Sequence, residues 1–113
     1  MKVRQEIVGG AAIVRLSGQL MGGPEAETVR ETIQTLLEQG HRNLLVDLGE
    51  VSWVNSTGLG LLISSHLLAA NHAGVLRLVG MSKRIRDILT VTRLDTVFQV
   101  YDDEQTALAS FQV

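Results

Sequence analysis

The six residues NLLVDL (43–48) constrain this chain more than any other stretch. A near-continuous apolar run of that length suits a strand covered on both faces. The segment before it, PEAETVRETIQTLLEQG (24–40), places Ala26, Val29, Ile33, Leu36 and Leu37 at helical spacing. Pro24 suits a first helical position, Glu25 and Glu27 suit the positive end, and Gly40 suits a left-handed residue past the C-terminus. A helix over about 24–39 that leads into a doubly covered strand favours a parallel crossover, and so an α/β sheet.

The other segments extend this unit. KVRQEIV (2–8) and AAIVRLSG (11–18) are β-type runs separated by Gly9-Gly10, the signal of a tight hairpin. After 43–48 a loop leads through VSWVNST (51–57) into a helix that runs to about Asn71, closed by Asn71 and Gly74. VLRLVG (75–80) is a second buried-type strand. Ser82 can cap a short helix, KRIRDILTVT (83–92), with Ile85, Ile88 and Leu89 on one face. TVFQV (96–100) reads as a last strand. Asp102 and Gln105 have the spacing of a capping box, ahead of a final helix whose apolar side is Ala107, Leu108 and Phe111. The order is β-β-α-β-α-β-α-β-α. It predicts an α/β fold, a mixed sheet of four to five strands packed against about four helices, as one domain over 1–113.

Composition excludes several classes of function. The absence of cysteine removes disulfides, thiolate metal sites and thiol nucleophiles, and fits a reducing compartment. A net charge of −2 offers no field for nucleic acid. The N-terminus has no apolar signal region, and GLGLLISSHLLAA (58–70) is too short to span a membrane. A cytoplasmic protein is expected. His41, His66 and His72 lack the spacing of a metal-binding helix, so no metal or other cofactor is expected. GLGLLI has Ile63 where a dinucleotide fingerprint needs its third glycine, and neither a phosphate-binding Gly-Lys-Ser/Thr nor a Gly-x-Ser-x-Gly elbow is present. No catalytic residue emerges.

What remains is NST (55–57), followed by Gly58, Leu59 and Gly60. Asn55 or Ser56 as helix cap explains the tripeptide without any chemistry. Ser56 also suits a phosphate acceptor. Backbone N–H groups at a helix N-terminus tolerate a phosphoryl group, which adds a charge of about −1.5 to −2. The same charge buried unpaired at a protein interface costs several kcal/mol. One phosphate could therefore spare the fold and abolish a complex. Two glycines early in a helix, each costing about 1 kcal/mol against Ala, require a close approach by another backbone, a partner, or the sheet.

VDLGEVSWVNSTGLGLLI (46–63) resembles the signature of STAS-domain anti-sigma-factor antagonists, a strand followed by Asp-Ser-Ser/Thr-Gly-Leu-Gly opening a helix. VRLSGQL (14–20) is similar to that family's Gly-Glu-Leu-Asp strand end, and the last third of the chain also matches. The resemblance implies the STAS fold and a regulator rather than an enzyme. Its partner would be an anti-sigma factor that is also a serine kinase with a histidine-kinase-like ATPase fold. Binding would release a sigma factor. Phosphorylation of the aligned serine, Ser56, would end the interaction, and a phosphatase would reset it. Asn55, Thr57, Gly58, Leu59 and Gly60, with the loop of Leu20, Met21, Gly22 and Gly23 up to Pro24, would form the docking surface. Asn55 and Met21 stand where the family has Asp, and Gln19 where it has Glu.

A second reading is a STAS docking subunit of a sensory scaffold or lipid-transport complex, in which Ser56 is only part of a cap. Trp53 can pack over the sheet edge or anchor an interface. Lys83, Arg84, Arg86 and Arg93 can meet an acidic partner or form a solvated helix face.

Overall fold

The computed structural model describes residues 1–111; Gln112 and Val113, the end of the expected domain, lie outside them. Five strands form one sheet in the order β1-β2-β3-β4-β5, which is also their order along the chain. Strands β1 (Lys2–Val8) and β2 (Ala11–Leu20) make the expected antiparallel hairpin, and Val8 faces Ala11 across Gly9-Gly10. Helix α1 (Pro24–Glu38) then crosses to β3 (Asn43–Val54), which is parallel to β2. Helix α2 (Ser56–Asn71) crosses to β4 (Val75–Val79), and α3 (Lys83–Val91) leads to β5 (Val100–Tyr101), both parallel additions. Helix α4 (Glu104–Ala109) ends the described fold.

The sheet is covered unequally. Helices α1, α2 and α3 share one large core with Val14, Leu20, Leu44, Val46, Leu48 and Leu78. The other face has a small core of Ile13, Leu45, Val79 and Ala107, with Tyr101, Leu108 and Phe111 packed around it. Alternate residues of β3 therefore serve both cores, which is why NLLVDL is almost entirely apolar. Helix α1 ends as its sequence dictates. Gly40 takes a left-handed φ of 97°, its N–H bonds Leu37 O, and the His41 N–H bonds Leu36 O.

Four sequence expectations are corrected. Strands β2 and β3 run on to Leu20 and Val54, because they keep pairing past Gly18 through register shifts, with Gln19 opposite Trp53 and Leu20 opposite Val54. No loop precedes Ser56; the strand feeds the helix directly. TVFQV is not a strand. Leu94–Thr96 form a 3-10 turn, Phe98 fills the core against the His66 ring at 5.5 Å, and only Val100 and Tyr101 pair with β4. Past Asn71 the helix closes through Gly74, whose N–H bonds Ala69 O at 2.8 Å, with Ala73 in the left-handed region at φ 58°. The cap of α4 is Asp103, whose carboxylate accepts from Thr106 N at 2.8 Å, whereas Asp102 takes Arg86.

Candidate functional site

The NST segment sits where β3 turns into α2, beside the loop that joins β2 to α1. Asn55 fixes this junction. Its Oδ1 accepts from Gly58 N at 2.8 Å, so Asn55 is the cap of α2 and Ser56 is the first helical residue. Its Nδ2 donates to Met21 O at 3.1 Å, and its own N–H reaches Leu20 O at 3.3 Å. One side chain thus closes the helix and ties it to the neighbouring loop. The amide does this because it offers both an acceptor and a donor.

The glycines divide by role. A Cβ on Gly58 would lie 2.1 Å from Leu20 O, so α2 begins hard against the end of β2. A Cβ on Gly22, whose φ is 97°, would lie 2.6 Å from Thr57 Cγ2. Gly23 caps α1 just before Pro24. Gly60 has nothing within 4 Å of where its Cβ would be and is exposed.

The residues singled out from the sequence therefore come together, at two depths. Met21, Gly23, Ser56, Thr57 and Gly60 form the outer surface, with Gly22 and Asn55 half-buried among them. Leu20, Gly58 and Leu59 are buried beneath and hold the others in place. The Ser56 hydroxyl is exposed and hydrogen-bonds no other described residue. Met21, whose carbonyl holds Asn55 from the β2–α1 loop, has an apolar side chain and is 45% exposed.

Gln19, Met21 and Asn55 bring no charge to this surface. Helix α1 brings acidic groups to its border. Glu25 is held by the N-terminal ammonium at 3.0 Å. Glu27 and Arg30 line a shallow groove of about 220 Å³ between α1 and α2, together with Thr57, Gly60 and Ser64. That groove was not legible in the sequence, because its two walls lie about thirty residues apart.

Trp53 faces away from the Leu20–Val54 core, and the Arg84 guanidinium stacks 4.4 Å from its ring centroid. Trp53 and the basic helix were separate puzzles in the sequence; their contact brings the start of α3 beside the strand that carries the motif. Lys83 pairs with Asp87 at 2.9 Å, which raises its pKa, and Arg86 pairs with Asp102. Two of the four basic residues are thus balanced by carboxylates of the chain itself. Among the described residues no group of His, Asp and Glu is placed to hold a metal, and no helix is long and apolar enough to cross a membrane.

A strand that passes through Asn55 into a capped helix with an exposed serine at its first position, on a mixed sheet opened by a hairpin, defines a small α/β domain. The chain belongs to the STAS domain family, whose family model matches residues 2–107. It is 31% identical over 75 residues to the anti-sigma-B factor antagonist of Bacillus subtilis, covering 66% of this chain and 68% of that protein. Among solved structures, an anti-sigma factor antagonist from Mycobacterium paratuberculosis superimposes with TM-score 0.84 at 23% identity, over 96% of this chain and 92% of that one. The Bacillus cell fate determinant SpoIIAA in its phosphorylated form superimposes with TM-score 0.75 at 22% identity, over 98% of this chain and all of that one.

Proposed function

We propose that this chain is an anti-sigma-factor antagonist that binds an anti-sigma factor acting as a serine kinase, and that phosphorylation of Ser56 ends the complex. The carrying observation is the free, exposed Ser56 hydroxyl beside Asn55, which alone supplies the cap. The serine is spared from structural duty and available to a kinase. Relatives named as anti-sigma factor antagonists, and a related structure in a phosphorylated form, support the same reading.

The energetics suit a switch. At the N-terminus of α2, a phosphate gains roughly 0.3–1 kcal/mol from the helix dipole. In a docked interface it must be desolvated, and a loss of several kcal/mol weakens binding by about a thousandfold. The apolar Met21 and the open Gly60 would lie in that interface, so docking would rest on shape and apolar contact more than on acidic residues. Binding would displace the sigma factor, and a phosphatase acting on Ser56 would restore the active form.

The test uses the intact chain, Ser56→Ala and Ser56→Asp as baits in lysate of the native host, followed by reaction of the captured kinase with ATP. Retention of a serine kinase by the first two baits and its loss from the third, with phosphate mapped to Ser56, is the expected result. If all three baits retain the same partners and Ser56 stays unmodified, the switch is refuted and the module is a docking subunit.

A further inference from the structure

The two outer edges of the sheet differ sharply. β5 has two residues, whereas β1 has seven, no proline, and unbroken pairing with β2 on its inner side. The burial pattern along β1 is almost wholly exposed. A long, regular edge with free backbone donors and acceptors is a template for another strand. What such an edge will accept depends on its side chains.

On one face β1 carries Lys2, Arg4 and Glu6, and on the other Val3, Gln5 and Ile7. This pattern is self-complementary. If two copies pair antiparallel with Gln5 opposite Gln5, then Arg4 faces Glu6 of the other copy twice and Val3 faces Ile7 twice. Shifted two residues one way, Glu6 faces Glu6. Shifted the other way, Lys2 meets Glu6 but Arg4 faces Arg4 at the axis and Val3 faces Gln5, so the apolar match is lost and like charges are directly opposed. A slip by one residue sets the apolar positions against the charged ones.

The monomer leaves Arg4 and Ile7 wanting, while Glu6 already receives Arg15. Across the hairpin, Arg4 lies opposite Arg15, and Arg15 takes the carboxylates of Glu6, Asp47 and Glu104. Among the described residues Arg4 makes no ion pair. Ile7 is 54% exposed. A second copy would give each Arg4 a carboxylate and each Ile7 an apolar neighbour.

We propose that β1 is the interface of a symmetric homodimer, in which two copies join their sheets antiparallel across a two-fold axis at Gln5. Such a contact is isologous and closes on itself. Seven residues a side bury less than the ~800 Å² per partner of a stable interface, so the dimer dissociates on dilution.

Sedimentation equilibrium over a wide concentration range tests this on the full chain. The expected result is a monomer–dimer equilibrium, weakened about tenfold or more in Arg4→Glu and in Glu6→Arg. The double exchange Arg4→Glu/Glu6→Arg restores it. Arg4→Glu breaks no ion pair of the monomer, so its effect is separable from misfolding, and unchanged melting confirms this. Because the chain lacks cysteine, Gln5→Cys provides a second readout. Directly opposed residues of antiparallel strands have Cα atoms about 4.5–5.5 Å apart, within disulfide reach, and oxidation yields a covalent dimer. A chain that stays monomeric at every concentration, a dimer indifferent to both single exchanges, or a dimer that Gln5→Cys does not cross-link overturns the proposal.

Discussion

The side-chain amide of Asn55 donates to Met21 O at 3.1 Å while its oxygen caps α2 at Gly58 N, so a single residue couples the motif helix to the β2–α1 loop. The two bonds respond differently to substitution. Asn55→Ala removes both and is expected to cost about 1–2 kcal/mol. Asn55→Asp keeps the cap and gains from the helix dipole, but sets a carboxylate against a carbonyl. Its net change should stay within about 1 kcal/mol, while amides of Met21–Gly23 exchange faster. Urea denaturation and hydrogen exchange measure the two effects separately.

Gly58 and Gly60 should behave oppositely. A Cβ at Gly58 lies 2.1 Å from a backbone oxygen, and neither backbone can yield without moving the end of β2 or the start of α2. Gly58→Ala is expected to lose about 2–4 kcal/mol, at or beyond the usual range for overpacking. At Gly60 the space is open, so Gly60→Ala should gain up to about 1 kcal/mol from helix propensity. If Gly60 serves docking, that gain will come with weaker partner capture. Thermal melts of both variants decide the stability part.

The unequal legibility of the fold follows from the same physics. α1 could be read because Pro24, the apolar stripe and Gly40 all speak locally. The first half of β3 could be read because both its faces are covered. Past Leu48 the flanking residues Gly49 and Glu50 are exposed, so the apolar run ends although the strand does not. TVFQV has strand-forming residues, yet Phe98 is consumed by the core near His66 and the backbone turns. In the site, the motif named Asn55 and Ser56 but left open which one caps. Only the three-dimensional approach of Met21 O explains why an amide fits there. The Arg84–Trp53 stack had no local signal, since its partners are distant in sequence and meet only through the parallel addition of β4.

Ser56 should tolerate charge in the isolated chain. It is exposed at the first position of α2, and no described group depends on its hydroxyl. Ser56→Asp is expected to leave stability unchanged or raise it by roughly 0.3–1 kcal/mol, through the helix dipole. Circular dichroism melts at low and high salt check this, because the gain should fade as salt screens it. A large loss would mean that the serine is structural after all.

Arg15 ties four elements together. It bonds Glu6 on β1, Asp47 on β3 at 2.9 Å and Glu104 on α4 at 2.6 Å. The bond to Glu104 is the foremost cause of its raised pKa. A raised base contributes fully at every pH below its unfolded value, so Arg15 keeps its charge throughout the acid range. Arg15→Met leaves three carboxylates facing one another and should cost about 2 kcal/mol at neutral pH. Urea midpoints for wild type and variant at neutral pH make the comparison.

Asp103 gives the opposite sign. Its carboxyl is held below the usual carboxylate range, first by the Thr106 backbone N–H and then by the Thr106 hydroxyl. A lowered acid stabilises the fold above its unfolded pKa, and that contribution is lost as pH falls through the folded value. Asp103→Asn keeps an acceptor at the cap but cannot titrate. Wild type should therefore exceed this variant in stability at neutral pH and converge with it in acid. Asp102, which faces Arg86 instead, provides the control: Asp102→Asn should show no such convergence in the protection of α4. Amide exchange at Ala107, whose N–H closes the first turn on Asp103 O, reports the cap directly. If the Asp102 variant rather than the Asp103 variant loosens that amide, the assignment of the cap is wrong.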